Sequence, residues 1–201
     1  LLLTLAKKFP DNAFVSDAII SNLEGREASF YKKIMSIDAD SNLVINRRFK
    51  KTMEDITKNQ INRNLKQLKA QFPKGVNLFE TICKTCHGED GNGVTSLAPP
   101  LNNSKWVTGD KNKLIAIVLQ GLTGAIKVNN KLYEPPEISG EMPGLYSNDE
   151  IDDETIAQVL SFIRKNWSNR SGDVSTKEVA KIRKKLNGRE KSFTVEELNG
   201  W

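Results

Sequence analysis

The residues best suited to chemistry in this 201-residue chain lie together in Cys83-Lys84-Thr85-Cys86-His87, which contains both cysteines and the one histidine. Two thiols separated by two residues at a helix end can each add to one vinyl group of a single porphyrin. The adjacent imidazole is then carried to the proximal side of the iron, so the spacing reads as c-type haem attachment. Other uses fit less well. A structural zinc site closes with four Cys or His ligands, and no further Cys or His exists. A thioredoxin-like pair follows a strand in a βαβ pattern, which is absent. A plain disulfide leaves the histidine without a role. One covalent haem c on Cys83 and Cys86, with His87 as an iron ligand, is the expectation.

A sixth iron ligand has to come from another residue type. The candidates are Met35, Met53, Met142, a lysine, or an open position. Met35 and Met53 occupy apolar helical positions, where packing accounts for them. Met142 sits in Gly140-Glu141-Met142-Pro143-Gly144, a loop with little reason to bury a methionine. Trp106 has two readings, as an indole donor to a haem propionate or as core packing. Leu114, Ile117, Val118 and Leu122 are expected to wall the haem pocket.

The order of motifs resembles the class I cytochrome c family. The matching residues are Gly75, Phe79, Cys83-Lys84-Thr85-Cys86-His87-Gly88, Asp90-Gly91-Asn92-Gly93, Ala98-Pro99-Pro100-Leu101 and Met142-Pro143. The resemblance implies that His87 and Met142 are the axial ligands. It implies that the Pro99 carbonyl orients the His87 ring and that Leu101 packs on the haem face. It also implies that Phe162 and Val159 of the last helix meet Gly75 and Phe79 of the first. Leu97-Ala98-Pro99-Pro100-Leu101, Trp106-Val107-Thr108-Gly109, Gly121-Leu122-Thr123-Gly124 and Arg164-Lys165-Asn166-Trp167 resemble a bacterial subgroup. There the domain follows HEAT-like helices and an upstream quinoprotein-dehydrogenase-like propeller.

The elements that would position these residues read as all-α with a small hairpin. Residues 1–72 form a helical segment: Phe14/Val15, Ala18/Ile19 and Leu23, then Phe30, Ile34 and Ile37, fall at helical spacing. This suits an α-solenoid fragment or a plain helical bundle, and the subgroup resemblance implies the HEAT-like reading. Phe49, Met53 and Ile56 mark a third helix and Leu65, Leu68 and Phe72 a fourth segment. Residues 73–170 are the expected cytochrome c domain. It opens with a helix over about Val76–Thr85, and Lys111–Gln120 follows as a buried helix. Ile126-Lys127-Val128 and Lys131-Leu132-Tyr133 form a hairpin across Asn129-Asn130. Glu134–Gly144 is an irregular loop, and Asp149–Asn166 a long final helix. Residues 171–201 are a helical tail, begun by the capping box Ser175-Thr176-Lys177-Glu178 and expected to pack on a neighbouring domain.

Composition narrows the function classes. The net charge is +5, but 73–170 holds 10 basic against 12 acidic residues, so the basic excess lies outside the segment with the chemistry. Without an aromatic-studded basic stripe, a nucleic-acid partner is not expected. No apolar run approaches the ~20 residues of a membrane span, and Leu1–Lys8 lacks the features of a signal peptide. The expected setting is periplasmic or otherwise extracytoplasmic, with export signal and any membrane anchor in an upstream segment. Two functions follow. The first is electron transfer, by a chain that is not itself an enzyme, from a redox partner protein or an upstream dehydrogenase domain. The second is a catalytic or ligand-sensing haem protein with an open or displaceable sixth site. The only histidine is already used, and Met142 stands to block an open iron, so electron transfer is favoured.

Overall fold

Helices α1 (Leu2–Lys8), α2 (Ala13–Ser21) and α3 (Glu27–Met35) precede the long α4 (Val44–Gln71) in the computed structural model, which describes residues 1–201. Their ends are set locally. The Asn12 side chain accepts the Val15 N–H and so caps α2. The Asp11 carboxylate accepts the Val44 N–H and the Pro10 carbonyl the Ile45 N–H, so the Pro10-Asp11 break also anchors the start of α4. Ile19, Leu23, Ile34, Ile45 and Phe49 make the core here, with the Phe30 and Tyr31 rings stacked on Phe49. Phe14, read as part of the apolar face, is exposed.

The chain divides into two compact units, Leu1–Arg63 and Asn64–Trp201. The division falls inside α4. No Gly or Pro interrupts residues 44–71, so the two expected helical segments are one helix. Leu68 and Phe72 near its end are buried in the core of the second unit. No helix is long and apolar enough to cross a membrane.

The second unit begins with α5 (Pro73–Leu78), whose proline stands at the first helical position, where its missing N–H costs nothing. A π-helical turn, Phe79–Cys83, and the short α6 (Lys84–His87) continue it. After α7 (Lys105–Thr108), Asp110 caps α8 (Lys111–Gln120), which is buried from Leu114 to Gln120. Three short strands follow, β1 (Gly121–Thr123), β2 (Ile126–Val128) and β3 (Lys131–Tyr133), then β4 (Glu141–Pro143). β2 and β3 form the expected hairpin, with Asn129 and Asn130 both at positive φ. The end of the segment read as an irregular loop is ordered differently: β4 pairs antiparallel with β1, placing Leu122 opposite Met142.

Asp152 accepts the Thr155 N–H at 2.7 Å and starts α9 (Asp153–Lys165), four residues after the expected Asp149. α5 crosses α9 where Gly75 sits. A Cβ there would lie 2.2 Å from the Gln158 carbonyl carbon and 2.3 Å from the Val159 nitrogen. Residues 171–201 are not a separate layer. α10 (Thr176–Lys185), begun by the capping box on Ser175 and Glu178, α11 (Val195–Asn199) and the segment between them bury Val179, Ile182, Leu186, Phe193 and Leu198 in the same core as α8 and α9. Arg164 of α9 ties loops to this core. Its guanidinium donates to the Val107, Gly109 and Gly172 carbonyls.

Candidate haem site

A cleft in the second unit is lined by Cys83, Cys86, His87, Pro99, Leu101, Trp106 and Met142 together. All seven residues singled out in the sequence therefore face one space, although they span 60 positions of chain. Most of its remaining wall is apolar. Leu114, Ile117 and Val118 come from α8, Leu122 from β1, and Val159, Leu160 and Ile163 from α9. The histidine is brought in by the α5–π–α6 run. The π-helical turn inserts an extra residue just before the cysteines.

The His87 ring is buried, and its Nδ1 lies 3.2 Å from the Pro99 carbonyl oxygen. A carbonyl can only accept, so this pairing assigns the proton to Nδ1 and leaves the Nε2 lone pair free. Burial holds the imidazole below its ordinary pKa, against the Pro99 carbonyl, which pulls it up. The ring is neutral at neutral pH, the state a metal ligand requires. Burial pushes the Cys83 thiol up to about 11, so this sulfur is protonated at neutral pH. The thiols are not bonded to each other.

The remaining site residues differ in how they are held. Leu101 is fixed through its backbone: its N–H donates to the Gly91 carbonyl, and its carbonyl accepts from the buried Asn169 amide. The Trp106 ring lines the cleft, but its indole N–H donates to the Lys127 carbonyl at 3.0 Å, so in this structure the donor serves the β2–β3 hairpin. Met142 is half-buried on β4. Met35 and Met53 belong to the first unit and are not among the lining residues.

Trp167 was not recognised as a site-supporting residue from sequence. Its indole donates to the Glu89 carbonyl at 3.0 Å, and its ring meets Phe79 and Phe162 edge-on, at 5.5 and 6.2 Å between centroids. This aromatic trio fastens the turn after His87 to α9. Glu141, next to Met142, also lines the cleft without a sequence signal. Only the β1–β4 pairing carries it there.

An apolar cleft with two free thiols, one neutral imidazole and one thioether on its walls is suited to haem c and to no closed metal site. No group of three His, Cys, Asp or Glu side chains able to hold a metal ion exists in the chain. Residues 72–167 match the cytochrome c family and form a cytochrome c domain, for which haem c is the resident group. Relatives include the cytochrome c subunit of alcohol dehydrogenase (quinone) from Gluconacetobacter polyoxogenes, 33% identical over 111 residues, 54% of this chain and 22% of that one. The corresponding subunit from Gluconobacter oxydans (strain 621H) is 32% identical over 111 residues, with the same coverage. The gluconate 2-dehydrogenase cytochrome c subunit of Pantoea cypripedii is 31% identical over 116 residues, 55% of this chain and 24% of that one. The chain thus spans less than a quarter of the length of these relatives. Its likeness is to the cytochrome c subunits of dehydrogenases.

Proposed function

We propose that this chain transfers single electrons through one haem c, attached by Cys83 and Cys86 and ligated by His87 and Met142, and that it receives them from a dehydrogenase. The observation that carries the reading is the convergence of both thiols, the neutral His87 ring and the Met142 thioether on one apolar cleft. Haem c supplies, when bound, an iron that changes oxidation state by one electron, with a potential raised by a thioether ligand. The protein's own residues do the rest. Pro99 fixes the His87 tautomer, Leu101 and the α8 side chains keep water from the cleft, and Met142 would hold the iron against exogenous ligands.

The dehydrogenase partner is supported by the cytochrome c subunits among the relatives. A donor carried upstream in the same polypeptide, behind a HEAT-like segment that includes residues 1–72, fits the charge of the domain. Residues 73–170 hold 10 basic against 12 acidic residues, so their net charge gives no long-range attraction to an acidic donor. Tethering replaces long-range attraction with an effective concentration near millimolar. The proposed compartment is the periplasm, where haem c attachment is completed.

The test is the absorption spectrum of the haem-loaded chain. Ferric protein is expected to show a weak band near ~695 nm, the mark of a thioether ligand. Met142→Ala abolishes it and opens the ferrous iron to carbon monoxide. An unchanged band in Met142→Ala moves the ligand elsewhere. Carbon monoxide binding to the unaltered protein as fast as to the variant favours a ligand-sensing site instead.

A further inference from the structure

We infer that the C-terminal tail is the positioning element for the strand that carries Met142, with Phe193 and Arg189 as its positioning residues. The inference rests on the proposed ligation by Met142. β4 is three residues long and its one strand partner, β1, is equally short. A two-stranded ribbon of this size is marginal alone. The tail supplies what is missing. Phe193 lies beside Leu122 as a parallel bridge on the free edge of β1. Its N–H donates to the Gly121 carbonyl at 3.1 Å, and its carbonyl accepts the Thr123 N–H at 2.8 Å. β1 is therefore a central strand, with Met142 on one side and Phe193 on the other.

The fit is close on both sides of β1. Gly121 has φ +89°, and a Cβ there would meet the Met142 carbonyl oxygen at 2.5 Å and the Ser192 hydroxyl at 2.9 Å. Ser192 also donates from its hydroxyl to the Glu141 carboxylate at 3.3 Å, a direct link from tail to β4. Phe193 is 1% exposed and meets Trp201 edge-on, while the Arg189 guanidinium lies 3.8 Å from its ring centre. Arg189 donates to the Lys191 and Ser192 carbonyls and pairs with Glu197 at 2.7 Å, and its own carbonyl accepts the Gln120 side-chain amide. The chain beyond β4 is held from the same tail. Arg183 of α10 donates to the Tyr146 and Ile151 carbonyls and pairs with Asp153. Both ends of the segment bearing Met142 are thus pinned by residues after 180, none of which lines the cleft. Such pinning lowers the rate at which the thioether leaves the iron, because leaving requires the ribbon to open.

The experiment compares haem-loaded full-length protein with Phe193→Ala, Arg189→Gln, Met142→Ala and a control, Val76→Ala. Val76 is buried in α5, in the same core, and lines no part of the cleft. Two readouts are followed: the temperature at which the ~695 nm band disappears, set against the far-UV circular dichroism midpoint, and the rate of carbon monoxide binding to ferrous protein. Arg189→Gln keeps the core side chains and serves if Phe193→Ala folds poorly. In the tail variants the band is lost well below the unfolding midpoint, and carbon monoxide binds about tenfold faster, as expected for weakening two backbone hydrogen bonds. Val76→Ala lowers both transitions together. If the tail variants behave like Val76→Ala, while Met142→Ala loses the band, the tail has no positioning role. If Met142→Ala keeps the band, the ligation itself is wrong and the inference falls with it.

Discussion

Gly75→Ala would place a methyl group directly against the backbone of α9 where α5 crosses it. The new methyl would stand 2.2 Å and 2.3 Å from backbone atoms of Gln158 and Val159, which cannot rotate aside. Ordinary carbon contacts are about 3.5–4.0 Å, so α5 and α9 must part by more than 1 Å. Parting them loosens the Phe79–Phe162 contact at 5.4 Å and the bonds from the Lys74 and Gly75 N–H groups to the Gln158 side chain. Overpacking of this kind costs about 1–3 kcal/mol, and the lost contacts add to it. Alanine's better helix propensity returns at most about 1 kcal/mol. A net loss of about 3 kcal/mol corresponds to a fall of about 10 °C in Tm for a unit of this size. Circular dichroism in the Soret region of the haem-loaded protein reads this unit selectively. A Tm within about 2 °C of the unaltered protein would refute the close crossing.

Two further outcomes follow from the same geometry. Acid–acetone should leave the haem on the unaltered chain, and a Cys83→Ala, Cys86→Ala double variant should release all of it, as haem staining after denaturing electrophoresis would report. Glu178 carries an acid-sensitive share of stability: hydrogen bonds from the Ser175 backbone and hydroxyl, with Lys111 beside it at 3.0 Å, hold its carboxyl at about 2. Because the folded pKa lies below the unfolded one, this stabilisation is complete above about pH 4.5 and is lost as pH falls toward 2. Glu178→Gln is expected to cost about 1 kcal/mol at pH 7, allowing for solvent screening, in urea denaturation. The difference from the unaltered protein should vanish near pH 2, and a difference that persists there would assign it to packing.

The sequence alone determined the residues whose meaning is local. The attachment motif is contiguous, so its chemistry is legible without a fold. The Asn129-Asn130 turn and the capping box on Ser175 and Glu178 are written in a few neighbouring positions, and both are present in the structure. The cytochrome c domain expected over residues 73–170 agrees with the family match over 72–167. What the sequence left open depends on partners far along the chain. No three-residue strand has enough periodicity to announce itself, so the pairing of β4 with β1 emerges only when both are brought together beside α8. That residues 44–71 form one unbroken helix, and that Leu68 and Phe72 at its end enter the core of the second unit, depends on burial against residues far along the chain. The tail showed only an amphipathic stripe. Which surface it covers was decided by the free edge of β1 and by the carbonyls that Arg183 and Arg189 satisfy, since unpaired backbone groups and exposed apolar side chains find their partners only in the assembled core.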